Sequence, residues 1–80
     1  MNYSVRHISG DRYQINLIPT KSEEHQMIKN TKPENLEVYY HEAVAEKLGH
    51  SACLLSIEPG NPDRYSVIGK IEYAKGLGGT

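Results

Sequence analysis

The chain has 80 residues, of which 38% are hydrophobic and 24% charged, and its formal net charge is −1. This length predicts one small domain, and the composition is too apolar and too balanced in charge for intrinsic disorder. No apolar run reaches the ~18–20 residues that a membrane helix requires, and the N-terminus lacks the pattern of a signal peptide. We therefore expect a soluble, cytoplasmic protein with no membrane partner.

The charged side chains are dispersed along the chain, with nine basic and ten acidic residues. Nucleic-acid-binding proteins cluster Lys and Arg, because neutralised phosphates supply most of the affinity. We therefore expect no nucleic-acid partner.

Two short strands are predicted in the first twenty residues. Apolar and polar side chains alternate over residues 3–8 and again over residues 13–18, which is the period of a half-buried strand. The segment between them, Ser9-Gly10-Asp11-Arg12, has the composition of a tight turn. The pattern predicts a β-hairpin that ends at Pro19, which has no amide donor for a sheet.

The polar segment 20–30 contains Ser22-Glu23-Glu24, which can cap a helix of one or two turns. Such a helix would turn Met27 and Ile28 inward. It is marginal by itself, so tertiary contacts must hold it.

The strongest helix signal begins at Thr31. Thr31 and Glu34 have the spacing of a capping box, and Pro33 is tolerated in a first helical turn. Gly49 marks the expected end of the helix. Apolar residues recur between these points at steps of three and four, and they are Leu36, Tyr40, Ala43, Val44 and Leu48.

A second hairpin is predicted after the helix, with strands at residues 52–58 and 64–73 and a dense run of turn residues at 59–63. The side chains of its first strand expected to face the helix are Cys53, Leu55 and Ile57. Those of its second strand are Tyr65, Val67, Ile71 and Tyr73. Gly69 shares this inward parity and marks either a bulge or a close approach of the helix.

These elements predict a single α+β domain over residues 1–75, in the order ββαββ, and a flexible tail over residues 76–80. The helix has one apolar stripe and must bury it on one face of a single sheet. Because crossover connections between parallel strands are right-handed, we expect the first and last strands to lie parallel in the centre. The sheet would then be mixed, with strand order 2-1-4-3 and one face open to solvent.

The chain ends in Leu77-Gly78-Gly79-Thr80. Together with the ββαββ order, which covers the whole chain, this diglycine resembles the ubiquitin-like modifiers, whose β-grasp fold is shared by small immunoglobulin-binding bacterial domains. The resemblance implies that Gly79, after removal of Thr80, is adenylated by an activating enzyme, passed to a cysteine and joined to an amine. Glycine suits such a tail, because a chain without Cβ can enter a narrow tunnel. The alternative is an inert terminus that frays.

Four aliphatic side chains are predicted on the open face of the sheet, where they would form a docking patch for a protein partner. Scattered apolar surface residues are normal in folded proteins, so the alternative is that they only cover the sheet. A register shift of one residue would invert their assignment. The four are Ile8, Ile18, Leu54 and Ile68.

No catalytic, metal or cofactor site is predicted. His41-Glu42 begins as a zinc-protease motif does, but position 45 is Ala where the second histidine is required. Cys53 is expected to face the helix, where a thiol is buried and inert. The remaining histidines, like His41, are expected to be ordinary surface residues, and they are His7, His25 and His50.

Two functions therefore remain open, and neither is enzymatic. The first is a ubiquitin-like modifier or sulfur carrier, whose protein partner is a separate activating enzyme. The second is a small binding protein, such as a phage or mobile-element inhibitor, that blocks a host defence complex through its sheet surface. The second rests on the small size, the lack of predicted catalytic groups and the apolar patch.

Overall fold

The computed structural model describes residues 1–60 and 63–74. The strands are β1 (Asn2–Ser9), β2 (Arg12–Ile18), β3 (Ala52–Ile57) and β4 (Ser66–Tyr73). Between β2 and β3 the chain forms α1 (Ser22–Asn30), a single 3-10 turn (Pro33–Asn35) and α2 (Glu37–Leu48). The predicted α+β class is confirmed, with two helices in place of one. Within the described ranges, no helix has the length and apolarity needed to cross a membrane.

The strand order is β1-β2-β4-β3, and all neighbouring strands are antiparallel. The predicted mixed sheet of order 2-1-4-3, with β1 and β4 parallel in its centre, is therefore wrong. The helices connect β2 to β3, and these two strands run parallel to each other with β4 between them. The crossover rule thus concerns β2 and β3, and it placed no constraint on β1 and β4.

Burial explains why β2 and β4 occupy the centre of the sheet. Both strands carry fully buried aliphatic side chains, whereas no side chain of β1 is fully buried. A central strand is covered by neighbours on both sides, so the most apolar strands gain most from that position. The buried side chains of β2 and β4 are Ile15, Leu17, Val67 and Ile71.

The helix α1 is held by contacts at both ends. At its start, the Glu24 carboxylate accepts hydrogen bonds from the Thr20 N–H (3.0 Å) and from the Met1 ammonium (2.9 Å). These hydrogen bonds lower the pKa of Glu24 to about 2, and the bond from the Thr20 N–H has the largest effect. Near its end, Ile28 is fully buried and Met27 packs against the core, as predicted.

The helix α2 is shorter than the capping box predicted. Thr31 ends α1, where its hydroxyl donates to the Met27 carbonyl at 2.6 Å. The residue before Pro33 is extended (Lys32, ψ 148°), because proline disfavours a helical conformation in its predecessor. α2 therefore begins at Glu37, after the 3-10 turn. Its apolar stripe packs against β1, β2 and β3 as predicted, and it ends at Gly49, whose φ is +93°.

Gly69 marks a close approach between side chains of the core. It lies in β4 opposite Tyr13 of β2 and Ile57 of β3. A Cβ at this position would lie 2.6 Å from Leu54 Cδ1 and 3.1 Å from Ile15 Cδ1. The missing side chain therefore makes room for aliphatic groups of both neighbouring strands, and the ladder is regular at Gly69 itself.

Candidate functional site

A groove of about 470 Å³ lies beside the outer strand β3 in the described part of the chain. One wall is the 3-10 turn and the first residue of α2, and the other wall is the end of β3 with the turn that follows. We call it the edge groove. Its lining residues are Pro33, Glu34, Glu37, Leu55, Ser56, Ile57, Glu58, Pro59, Gly60 and Val67.

A β-bulge in β3 builds the apolar part of this groove. The pairing of β3 with β4 shifts register between Leu54 and Ser56, so Leu55 is the extra residue. As a result Leu54 is buried with 8% exposure, and Ile57 also packs against the core. Leu55, displaced from the ladder, is 53% exposed and lies in the groove. A bulge redirects side chains in this way.

The opposite wall is fixed by two backbone hydrogen bonds. The Asn35 N–H donates to the Lys32 carbonyl at 2.9 Å, and the Leu36 N–H donates to the Pro33 carbonyl at 3.0 Å. Leu36 is fully buried and anchors this turn to the core. Glu34 and Glu37 are consequently held on a rigid support with their side chains exposed.

The rim of the edge groove is acidic. Three of its ten lining residues are glutamates, and none of the ten is Lys, Arg or His. Glu58 is paired with Arg12, whose Nε donates to Glu58 Oε2 at 2.8 Å and whose Nη2 donates to Oε1 at 3.3 Å. No salt bridge joins Glu34 or Glu37 to another side chain in the described ranges. These two carboxylates are therefore available to a cationic partner.

The backbone of β3 is open on the side away from β4, its one strand neighbour in the described sheet. The Glu58 N–H donates inward to the Ile68 carbonyl at 2.9 Å. Because successive residues of a strand direct their backbone groups to opposite sides, the N–H and C=O of Ile57 face the outer edge. The edge groove thus combines apolar side chains, carboxylates and backbone groups that can pair with an added strand.

The four aliphatic residues of the predicted docking patch do not lie together. Leu54 is in the core, so its predicted place on the open face is wrong. The bulge shifts the register of β3 by one residue, so the residues before the bulge face the opposite side from the one predicted. Ile18 (45% exposed) and Ile8 (41% exposed) lie near opposite ends of the first hairpin. Ile68 lies between them, partly buried and opposite Gln14. A role of these residues in partner binding stays a prediction.

The same parity error affected Cys53. The thiol was expected to face the helix, but Cys53 is exposed and lies opposite Glu72. All four histidines are exposed, as predicted. The proposed conjugation tail, Leu77-Gly78-Gly79, lies outside the described residues.

The sequence reasoning missed the edge groove. Its two walls come from segments about twenty residues apart, so no local motif announces it. The one available signal was the Leu54-Leu55 doublet, in which a strict alternation cannot place both side chains on the same face. Comparison of the chain with protein-family models, with curated proteins and with solved structures finds no match. The edge groove is therefore the main guide to function.

Proposed function

We propose that this protein is a stoichiometric binding protein that holds a partner protein at the edge groove and occludes the surface it covers. The observation that carries the proposal is Leu55, an aliphatic side chain presented outside the sheet ladder between two acidic walls. Large aliphatic groups exposed on a rigid concave surface are typical of binding sites. A host defence complex as the partner, and inhibition as the outcome, remain part of this proposal.

Two properties of the groove favour binding over chemistry. Among the described lining residues, the polar side chains are three carboxylates and the Ser56 hydroxyl, and no histidine or thiol lies among them to activate a nucleophile. The two walls are held by core residues, so little conformational entropy is lost when a partner docks.

The first experiment locates the contact surface in the native host. A photo-crosslinking amino acid replaces Leu55 in one variant and Gln14, on the open sheet face, in a matched control. An adduct at position 55 that is missing at position 14 supports the proposal. No adduct at position 55 would contradict docking of a partner at the edge groove.

The second experiment measures affinity, using the partner recovered in the first and isothermal titration calorimetry. Leu55→Asp removes the apolar contact and adds charge to an acidic site, so we expect the dissociation constant to rise at least about tenfold. Ile18→Asp is the matched control on the open face and should leave it unchanged. If affinity were lost with Ile18→Asp alone, the result would indicate that the partner docks on the patch predicted from sequence.

The modifier hypothesis is separated by the double variant Gly78→Ala, Gly79→Ala. The proposal places the partner contacts at described residues of the edge groove, so we expect unchanged affinity. Adenylate or thioester formation with an activating enzyme and ATP that is abolished in this variant would support a ubiquitin-like modifier instead.

A further inference from the structure

The edge groove has a charge that the chain as a whole does not have. The whole chain is nearly neutral, with nine basic and ten acidic residues. Among the residues that the structure describes, three glutamates and no basic residue line the groove. Arg12 neutralises Glu58 from outside the groove. The unpaired charge is therefore concentrated on the other wall, at Glu34 and Glu37.

We propose that the occupant of the edge groove is a short, extended, cationic segment of a partner protein, in which aliphatic residues alternate with Lys or Arg. This inference rests on the proposed function and names the chemistry of the partner at the same site. Aliphatic side chains of the segment pack on Leu55 and Ile57. Its cationic groups pair with Glu34 and Glu37.

An extended backbone fits the groove because β3 offers an open edge beside it. The outward N–H and C=O of Ile57 can form one pair of hydrogen bonds with an added strand. β3 has six residues, so a segment of about six extended residues can lie alongside it while its backbone pairs with β3 at Ile57. Alternate side chains of such a segment point to the same face, so an aliphatic set and a cationic set separate naturally.

The bulge at Leu55 explains why side chains, more than backbone pairing, select the occupant. A bulge interrupts the regular ladder of an edge strand and discourages continuous pairing with another sheet. Pairing along the whole of β3 is thus disfavoured, and with it the docking of β3 from a second copy of this chain. The contacts that remain are the apolar floor and the two carboxylates.

The charge complementarity should produce a measurable difference in affinity between cationic and anionic peptides. Exposed ion pairs contribute little individually, but two pairs on a rigid support, compared with the repulsion of an anionic peptide, separate affinities by about tenfold or more. The preference must weaken with added salt, because the carboxylates are exposed to solvent.

The test uses the full chain and two fluorescein-labelled peptides of about eight residues, one alternating Val with Lys and one alternating Val with Glu. We expect fluorescence anisotropy to show at least about tenfold tighter binding of the lysine peptide. The double variant Glu34→Gln, Glu37→Gln should bring the two affinities together. The matched control Glu23→Gln, Glu72→Gln, which makes the same charge change at exposed positions outside the groove, should leave the preference intact.

A third variant works in the opposite direction. Arg12→Gln releases the Glu58 carboxylate, so we expect the lysine peptide to bind more tightly. Equal binding of both peptides, or a preference unchanged by the Glu34 and Glu37 substitutions, would overturn the inference. So would failure of the lysine peptide to bind while the natural partner remains sensitive to Leu55→Asp, and in that case the proposed function would stand with a different occupant.

Discussion

The two hairpins of this sheet differ in where their bulges lie, and that difference determines which residues reach the surface. In the β1–β2 hairpin the register shift falls at Ile8, next to the turn that contains Gly10. In the β3–β4 hairpin it falls at Leu55, within the strand. A bulge beside a turn leaves the core-facing residues unchanged, whereas a bulge inside a strand changes the parity of everything on one side of it.

The consequence is that the two hairpins of one sheet differ in the parity of their core-facing residues. The β1–β2 hairpin has an unbroken alternation through Val5 and Ile15, which face each other on the core side. The β3–β4 hairpin buries both Leu54 and Ile57 but releases Leu55 to solvent. One inserted position thus provides an exposed anchor without removing any residue from the core.

The sharpest test of this comparison is the adjacent pair Leu54 and Leu55. Leu54→Ala should destabilise the protein by about 2–4 kcal/mol, because it removes a buried side chain and leaves a cavity. Leu55→Ala should change the free energy of unfolding by less than about 0.5 kcal/mol, because Leu55 is exposed. Urea unfolding of the two variants measures both values. A larger loss of stability for Leu55→Ala than for Leu54→Ala would indicate that Leu55 faces the core, as the sequence predicted, and that β3 has no bulge at this position.

The close approach at Gly69 provides the next largest effect. Gly69→Ala places a methyl group against Leu54 Cδ1, and we expect a loss of about 1–3 kcal/mol from overpacking. In the Leu54→Ala background the contact with Leu54 Cδ1 is removed and the one with Ile15 Cδ1 at 3.1 Å remains, so the same substitution should cost at least about 1 kcal/mol less. A double-mutant cycle measured by urea unfolding gives this coupling. Equal costs in the two backgrounds would mean that Leu54 does not lie over Gly69.

The two hairpins also differ in how well the sequence pattern predicted which residues face the core. Alternation over residues 3–8 and 13–18 predicted the faces of the first hairpin, because neighbouring residues differ in polarity along most of both segments. Residues 52–55 are Ala, Cys, Leu and Leu, all apolar, so polarity could not select a face. The turn at Gly10, with φ +52°, and the helix end at Gly49 were predicted because each needs a conformation that glycine adopts readily.

The strand order was predicted wrongly for a different reason. The predicted order 2-1-4-3 and the observed order β1-β2-β4-β3 contain the same two hairpins. Relative burial distinguishes the two orders. The inward residues of β2 are more apolar than those of β1, because one inward position of β1 is His7. The more apolar strand, β2, is therefore favoured at the centre of the sheet. The Thr31 capping box failed because Pro33 requires an extended residue before it. The edge groove could not be found by either kind of reasoning, because it forms only when the fold places the 3-10 turn beside the end of β3.

The smallest predicted effect concerns Arg64, just before β4, and its contact with α2. Tyr40 is fully buried in α2, and its hydroxyl donates to the Arg64 carbonyl at 2.7 Å, just before β4. Tyr40→Phe should cost about 1 kcal/mol at neutral pH, because the carbonyl loses its partner.

The pH dependence of that effect identifies the buried hydroxyl as its source. Burial raises the pKa of Tyr40 from 10.0 to about 12, so the folded state holds this proton more tightly than the unfolded state does. The contribution of the hydroxyl is complete below pH 10 and is lost as the pH rises toward 12. Urea unfolding at a series of alkaline pH values should show the gap between wild type and Tyr40→Phe narrowing over this range. A gap that stays constant would mean that Tyr40 does not ionise differently in the two states, and that the β3–β4 loop is not anchored to α2 by a buried hydroxyl.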